Sequence, residues 1–153
     1  MSTAGSTTAT SAAQCVGPAT VVFDESLTQY NFGPEHPMSP IRVDLTMRLA
    51  RELGVFDHEM RMIDAPVADD AMIARVHDER LIEAVRRMGN NPGPGEEAFG
   101  LGTDDNPVFL GMHEASAHVV GASVEAFRQV WSGESLHSAN ICGGLHHAMR
   151  DRS

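Results

Sequence analysis

Three short apolar runs, each separated from the next by helix-patterned sequence, constrain most strongly what this chain can fold into. Thr20-Val21-Val22-Phe23 is bounded by Asp24 and Glu25. Arg61 to Ala65 is stopped by Pro66, and Ser138-Ala139-Asn140-Ile141-Cys142 runs straight into Gly143-Gly144. Runs of this length and composition, bounded in this way, read as strands. Between the first two, Leu45, Leu49 and Leu53 recur every four residues. Ser39 can cap that helix, Pro40 suits its first position and Gly54 ends it. Between the second and third runs lies a short helix around residues 68–76. A second helix, capped by Asp78, carries Leu81, Val85 and Met88 on one face and stops at Gly89. A long helix over Gly111–Trp131 follows, with Ala115, Val119, Ala126, Val130 and Trp131 as its apolar face. Its Gly121, Ala122 and Ser123 allow close packing against a sheet. Strands alternating with helices predict an α/β fold, a parallel sheet flanked by helices. About three strands make a thin sheet of that kind, because parallel sheets are covered on both faces. The chain reaches Ser153 before another crossover helix can form.

Composition narrows the function classes. The 153 residues suit one ordinary domain, and a hydrophobic content of 42% is ample for a core. Eleven bases, all Arg, against twenty-one acids leave a formal charge of −10. That balance argues against direct nucleic-acid binding through phosphate neutralisation and against docking on an anionic membrane. No apolar run approaches the roughly 20 residues that span a bilayer. Cys15 and Cys142 are too few for a disulfide framework and fit a reducing, cytoplasmic setting. Residues 1–19 are rich in Ser, Thr, Ala and Gly and lack the basic and apolar regions of a secretory signal, so a disordered tail is expected there and a folded unit over 20–153.

Three local patterns could carry chemistry. Gly143-Gly144-Leu145-His146-His147 follows the last expected strand, at the sheet edge where open α/β folds bind ligands. Two adjacent imidazoles with near-neutral pKa suit general acid–base work, against the plainer alternative of an ordinary loop holding two histidines. Adjacent residues rarely share a metal without further ligands, and no convincing ligand set is present. His113 and His118 read as packing or surface residues of the long helix. Thr103-Asp104-Asp105-Asn106-Pro107 sits in a long loop over residues 89–106. Its carboxylates could bind a cation or a peptide amide, or be solvated turn residues. In His36-Pro37-Met38-Ser39-Pro40-Ile41-Arg42, an Arg in a first helical turn does nothing for the helix dipole, so it could hold an anion or a carbonyl, or simply face solvent.

Together these stretches resemble the histone deacetylase superfamily, and the bacterial acetoin-utilisation deacetylases in particular. Residues Tyr30 to Arg42 resemble the family's opening motif. Val76-His77-Asp78-Glu79-Arg80-Leu81-Ile82 is similar to a weaker one. Gly102 to Phe109 resembles the substrate-rim loop, and Gly143-Gly144-Leu145-His146-His147-Ala148 resembles the active-site histidine pair. The resemblance implies the amino-terminal part of an arginase/deacetylase-like parallel sheet, with a tunnel at its carboxyl edge. It implies hydrolysis of N-acetyl amides, usually acetyl-lysine in a protein or a small molecule, by a zinc-activated water. It assigns His146 and His147 to proton transfer beside that water. Asp105 becomes the rim aspartate that holds the substrate backbone, and Gly144, with Gly143, shapes the substrate wall. Arg42, Met38 and Leu145 become residues of an internal channel. In the family the zinc ligands, an Asp-x-His pair and a later Asp, lie downstream of the position of Ser153. This chain is therefore expected to be truncated, to lack a metal site of its own and to be inactive alone, with Ile141 and Cys142 on an unpaired strand edge that favours aggregation. The alternatives are a non-catalytic module that binds acetylated ligands or a partner, and a non-functional remnant.

Overall fold

The computed structural model describes residues 18–56, 60–145 and 147–153. The expected tail up to residue 17 and His146 lie outside the described residues. Among the described residues three strands form one sheet: β1 (Ala19–Val22), β2 (Met60–Ile63) and β3 (His137–Ala139), in the order β2-β1-β3 with both pairings parallel. Val21 lies between Met62 and Ala139, and Thr20 between Arg61 and Ser138. The fold is thus the α/β parallel sheet expected. The central strand is the continuously apolar one, and Val21, Val22 and Phe23 are buried. Its edge neighbours expose residues such as Arg61, Met62 and His137. That contrast is the one between a strand covered on both sides and its flanks.

β3 is shorter than the sequence suggests. It ends before Asn140, whose side chain takes over the backbone of the next turn: Cys142 N–H donates to Asn140 Oδ1 (3.0 Å) and Asn140 Nδ2 donates to Cys142 O (2.9 Å). An asparagine that bonds the backbone two residues on competes with the sheet ladder. Ile141 and Cys142 therefore do not form a strand edge. Cys142 turns into the core beside Leu27 and Met47, and burial raises its thiol pKa.

The described residues form the α-helices α1 (Ile41–Glu52), α2 (Asp70–Ile73), α3 (Glu79–Asn90) and α4 (Met112–Trp131); α4 packs on the sheet and α3 on α4. Asp69 and Asp78 cap α2 and α3, accepting from Met72 N (2.8 Å) and Arg80 N (2.9 Å). α2 is only part of the expected helix over 68–76. α1 has no side-chain cap: Pro40 occupies the cap position and Ser39 contributes its carbonyl to Arg42 N–H instead. Only Met47 of α1 is buried. Ile41, Leu45, Leu49 and Leu53, the periodic stripe, are 54–70% exposed.

α4 lies on β1 and β3 through Val119, Ala122 and Ala126. Gly121 brings it against the exit of β2, where a Cβ would stand 1.8 Å from Pro66 O, and Ala68 N–H donates to Ala117 O (3.0 Å). Val130 and Trp131, expected inside, are 46% and 80% exposed. The inward position of that last turn is Gln129, buried and accepting from Arg61 (2.6 Å) next to Thr20 and Ser135. The 89–106 segment is ordered by a bridge between Glu96 and Leu101 around a 3-10 helix, Glu97–Phe99. With Leu101 buried, it closes a second small core against Ala84 and Met112.

Candidate functional site

The first strand delivers its chain to the carboxyl edge of the sheet at Asp24. Both oxygens of that carboxylate are engaged: Oδ1 accepts from Ser26 N (2.7 Å) and Oδ2 from Ala65 N (2.6 Å). The side chain thereby ties the exits of β1 and β2 together. Burial pushes the Asp24 carboxyl up, but hydrogen bonds from Ser26 and the Ala65 N–H, with His118 close by, outweigh it and hold the group below its ordinary range. Ser26 Oγ in turn meets His118 Nδ1 of α4 at 3.0 Å. His118 is a packing residue, as expected. So is His113, which joins α4 to Asp70 (3.1 Å) and Arg86 (3.1 Å).

A short 3-10 helix, Glu25–Gln29, then presents Tyr30, the chain's single tyrosine. Its ring makes edge contacts with Phe32 (5.2 Å) and Phe109 (5.7 Å), and Phe32 also meets His36 (4.6 Å). Burial raises the Tyr30 hydroxyl pKa to about 12, partly offset by the backbone N–H of Leu145, which favours the phenolate. Tyr30 thus touches the aromatic cluster on one side and the Gly143-Gly144-Leu145 segment on the other.

A cavity of about 370 Å³ opens beside it. Its lining draws on all four sequence motifs: Tyr30 from the first, His77 from the second, Asn106 from the third, Gly144 and Leu145 from the fourth. α4 supplies the floor through Met112, Ser116 and Val119. The closing segment is held by backbone bonds. His77 Nδ1 donates to Met149 O (2.8 Å), Asp78 N–H to Arg150 O (2.7 Å) and Ser153 N–H to Phe99 O (2.9 Å). Gly100 lies so near Ser153 that a Cβ would meet its carbonyl at 1.7 Å, and its φ of +71° is itself one that favours glycine.

The residues singled out from the sequence are not all gathered here. Gly144 and Leu145 line the cavity. Gly143 and His147 are exposed nearby in sequence, and His146 is outside the described residues. Asp104 and Asp105 stand exposed at the tip of a turn closed by Gly102 N–H to Asn106 O (2.8 Å) and Asn106 N–H to Thr103 Oγ1 (3.0 Å). Asp104 borders a second, open cleft of about 570 Å³ with Phe32, His36 and Val108, whereas Asp105 lines neither space. Met38 is half-buried with its N–H on His36 Nδ1 (3.1 Å), and Arg42 is exposed on the first turn of α1, so both lie outside the cavity lining. Tyr30 and Asn106 were not singled out from the sequence. The signals were a lone tyrosine opening a motif and an amide inside an Asn-Pro turn, and Asn106 is buried, donating to Gly100 O (3.2 Å).

Among the described residues, no group of three or more His, Cys, Asp and Glu side chains is gathered as a metal would require. The family's zinc does not fit the donors they present, and no chemical step through a metal follows from them. Nor is any helix among them long and apolar enough to cross a membrane.

Comparison with known proteins adds the following. The histone deacetylase domain family matches residues 36–153. Over 134 residues, or 86% of this chain, the sequence is 40% identical to the acetoin utilization protein AcuC of Bacillus subtilis (strain 168). It is 31% identical to the protein of the same name from Staphylococcus xylosus and 29% to that from Staphylococcus aureus (strain MRSA252). In each case the match covers 34% of the relative, so the chain spans about a third of the length of the curated relatives it matches.

Proposed function

Because this chain belongs to the histone deacetylase family, we propose that it forms the amino-terminal part of a hydrolase that removes acetyl groups from N-acetyl amides of the acetyl-lysine type, in a protein or a small molecule. The observation that carries this reading is the convergence of the four family-like motifs on one cavity of about 370 Å³. The name its relatives bear adds acetoin utilisation as the proposed setting, and a cytoplasmic location accords with its two-cysteine composition.

In this reading His146 and His147 manage the protons: one accepts from the attacking water, and the pair returns a proton to the leaving amine. Asp105, at the tip of its turn, receives the substrate's backbone amide, and Gly144 forms the wall beside the acetyl group. Leu145, Met38 and Arg42 belong to the internal channel. For Arg42 this requires a further wall over the first turn of α1. Zinc would supply polarisation of the amide carbonyl and activation of water. Its ligands are assigned to polypeptide other than the described residues, so the chain alone is expected not to turn over.

The test is an acetyl-lysine peptide assay with and without added zinc. The chain alone is expected to release no acetate. In an assembly that hydrolyses the peptide, His146→Ala or His147→Ala is expected to lower kcat by about 10²–10⁴-fold, the usual contribution of a general acid or base. Zinc-dependent hydrolysis by the chain alone would overturn the assignment of the ligands. Binding without hydrolysis in that assembly, lost in Asp105→Ala, would identify an acetyl-ligand module instead.

A further inference from the structure

The cavity of about 370 Å³ is far larger than an acetyl group needs. An apolar cavity of about 150 Å³ already takes benzene. The walls here are mostly hydrocarbon. Ile73 comes from α2, Leu81 and Val85 from α3, and Val119 and Val124 from α4. No Asp, Glu or Arg side chain of the described residues lines the space. The polar side chains that do line it are engaged by their own neighbours. Ser116 and Ser123 Oγ donate to Met112 O (2.7 Å) and Val119 O (3.1 Å), one turn back along α4. His77 donates to Met149 O (2.8 Å) and Asn106 to Gly100 O (3.2 Å). His113 meets Asp70 and Arg86, each at 3.1 Å. A polar ligand deep in this space would give up its hydration for few partners, which costs free energy. An alkyl tail has no such cost and gains about fourfold in affinity for each methylene it buries.

The same cavity is bordered by Gly144, the residue assigned above to the wall beside the acetyl group. We infer that the cavity is an acyl-tail subsite, which extends the substrate class from N-acetyl amides to N-acyl amides with a tail of about six to eight carbons. The inference rests on the deacetylase reading above and deepens it. The acyl group enters past Gly144, and its tail lies among α2, α3 and α4. Val85 and Val124 are then wall positions that set the tail length accepted.

The experiment titrates the 153-residue chain with Nε-acetyl-, Nε-hexanoyl- and Nε-octanoyl-lysine amides by isothermal calorimetry. Affinity is expected to rise with tail length, and the octanoyl amide to bind about a hundredfold more tightly than the acetyl amide, as three to four buried methylenes would give. Val124→Trp and Val85→Phe, which fill the cavity from two helices, are each expected to weaken octanoyl binding at least tenfold and acetyl binding less. Val130→Trp, at an exposed position of α4 outside the lining, is expected to leave both unchanged. If a substitution prevents folding, the length series on the unsubstituted chain decides by itself. Affinity independent of tail length overturns the inference. So does a length dependence that folded Val124→Trp and Val85→Phe leave untouched, which would put the tail on the exposed leucines of α1. Octanoate bound as tightly as the octanoyl amide overturns it too, since the space would then hold fatty acids rather than acyl amides. Hydrolysis is read separately, in the assembly of the acetyl-lysine assay. Length-dependent binding without hydrolysis keeps the subsite and counts against the hydrolase reading. Acetyl-lysine hydrolysis without length-dependent binding keeps that reading and overturns the subsite.

Discussion

Tyr30 and Asp24 do the positioning at the mouth of the sheet, and each makes a measurable prediction. Tyr30 is the only tyrosine, so absorbance near 295 nm, roughly where a phenolate absorbs, reports it alone. Its ionisation is expected near pH 12 rather than near 10, because the buried ring disfavours the phenolate. The neutral form is the one favoured in the folded state, so its contribution is intact below pH 10 and is lost as pH rises from 10 through about 12. A titration midpoint at the free value would place Tyr30 in solvent. Tyr30→Phe removes the buried hydroxyl beside the Leu145 N–H and is expected to cost about 1 kcal/mol in denaturant unfolding. Asp24 works in the opposite direction. Its carboxyl is held below the ordinary value of 3.8, so its stabilisation is present above that value and is lost as pH falls through the lower folded pKa. Asp24→Ala leaves the N–H groups of Ser26 and Ala65 without this acceptor and is expected to cost about 1–3 kcal/mol at neutral pH, with a flattened acid limb. An unchanged acid limb would show that the bridge between the strand exits carries no stability.

At the scale of elements, α1 and α4 show how far a pattern reaches. The four-residue spacing of Leu45, Leu49 and Leu53 identifies a helix, and the structure leaves that side exposed and buries Met47 instead. Periodicity reports which residues share a face, whereas burial depends on what stands opposite. Met47→Ala is therefore expected to cost about 2–5 kcal/mol, and Leu49→Ala in the isolated chain no more than about 0.5 kcal/mol, by urea unfolding. Similar losses at the two positions would mean that the stripe is already covered. In α4 the glycine matters more than the apolar face around it. Gly121→Ala would set a Cβ 1.8 Å from Pro66 O, where backbone on both sides must shift. A loss of at least about 1–3 kcal/mol is expected from that overpacking. The strand pattern had a different limit: Ile141 and Cys142 look like strand residues, but Asn140 spends its amide on Cys142 and ends the ladder. The 89–106 segment looks like a plain loop because much of its order comes from partners outside it: beside the local bridge from Glu96 to Leu101, Leu101 is buried against Ala84 and Met112 and Phe99 O accepts from Ser153 N–H.

For the whole molecule, exposure of the α1 stripe with Phe127 and Trp131 makes self-association the expected behaviour of the chain on its own. Light scattering on heating is expected to fall in Leu45→Glu/Leu49→Glu, and an unchanged signal would shift the cause to the face of α4. The sequence by itself determined the class of fold, the first strand at the Thr20–Phe23 run, the Asp78 cap and the order of the four motifs. Each of these rests on residues near one another in the chain, where local sterics, capping bonds and short apolar runs suffice. Tertiary structure decided what needs partners distant in sequence. It gathered Tyr30, His77, Asn106 and Leu145 around one cavity, left Asp105 and Arg42 outside it, drew Cys142 into the core and turned the α1 leucines outward. The physical reason is that burial and convergence belong to pairs of surfaces, and a surface acquires its partner only when the whole chain has folded.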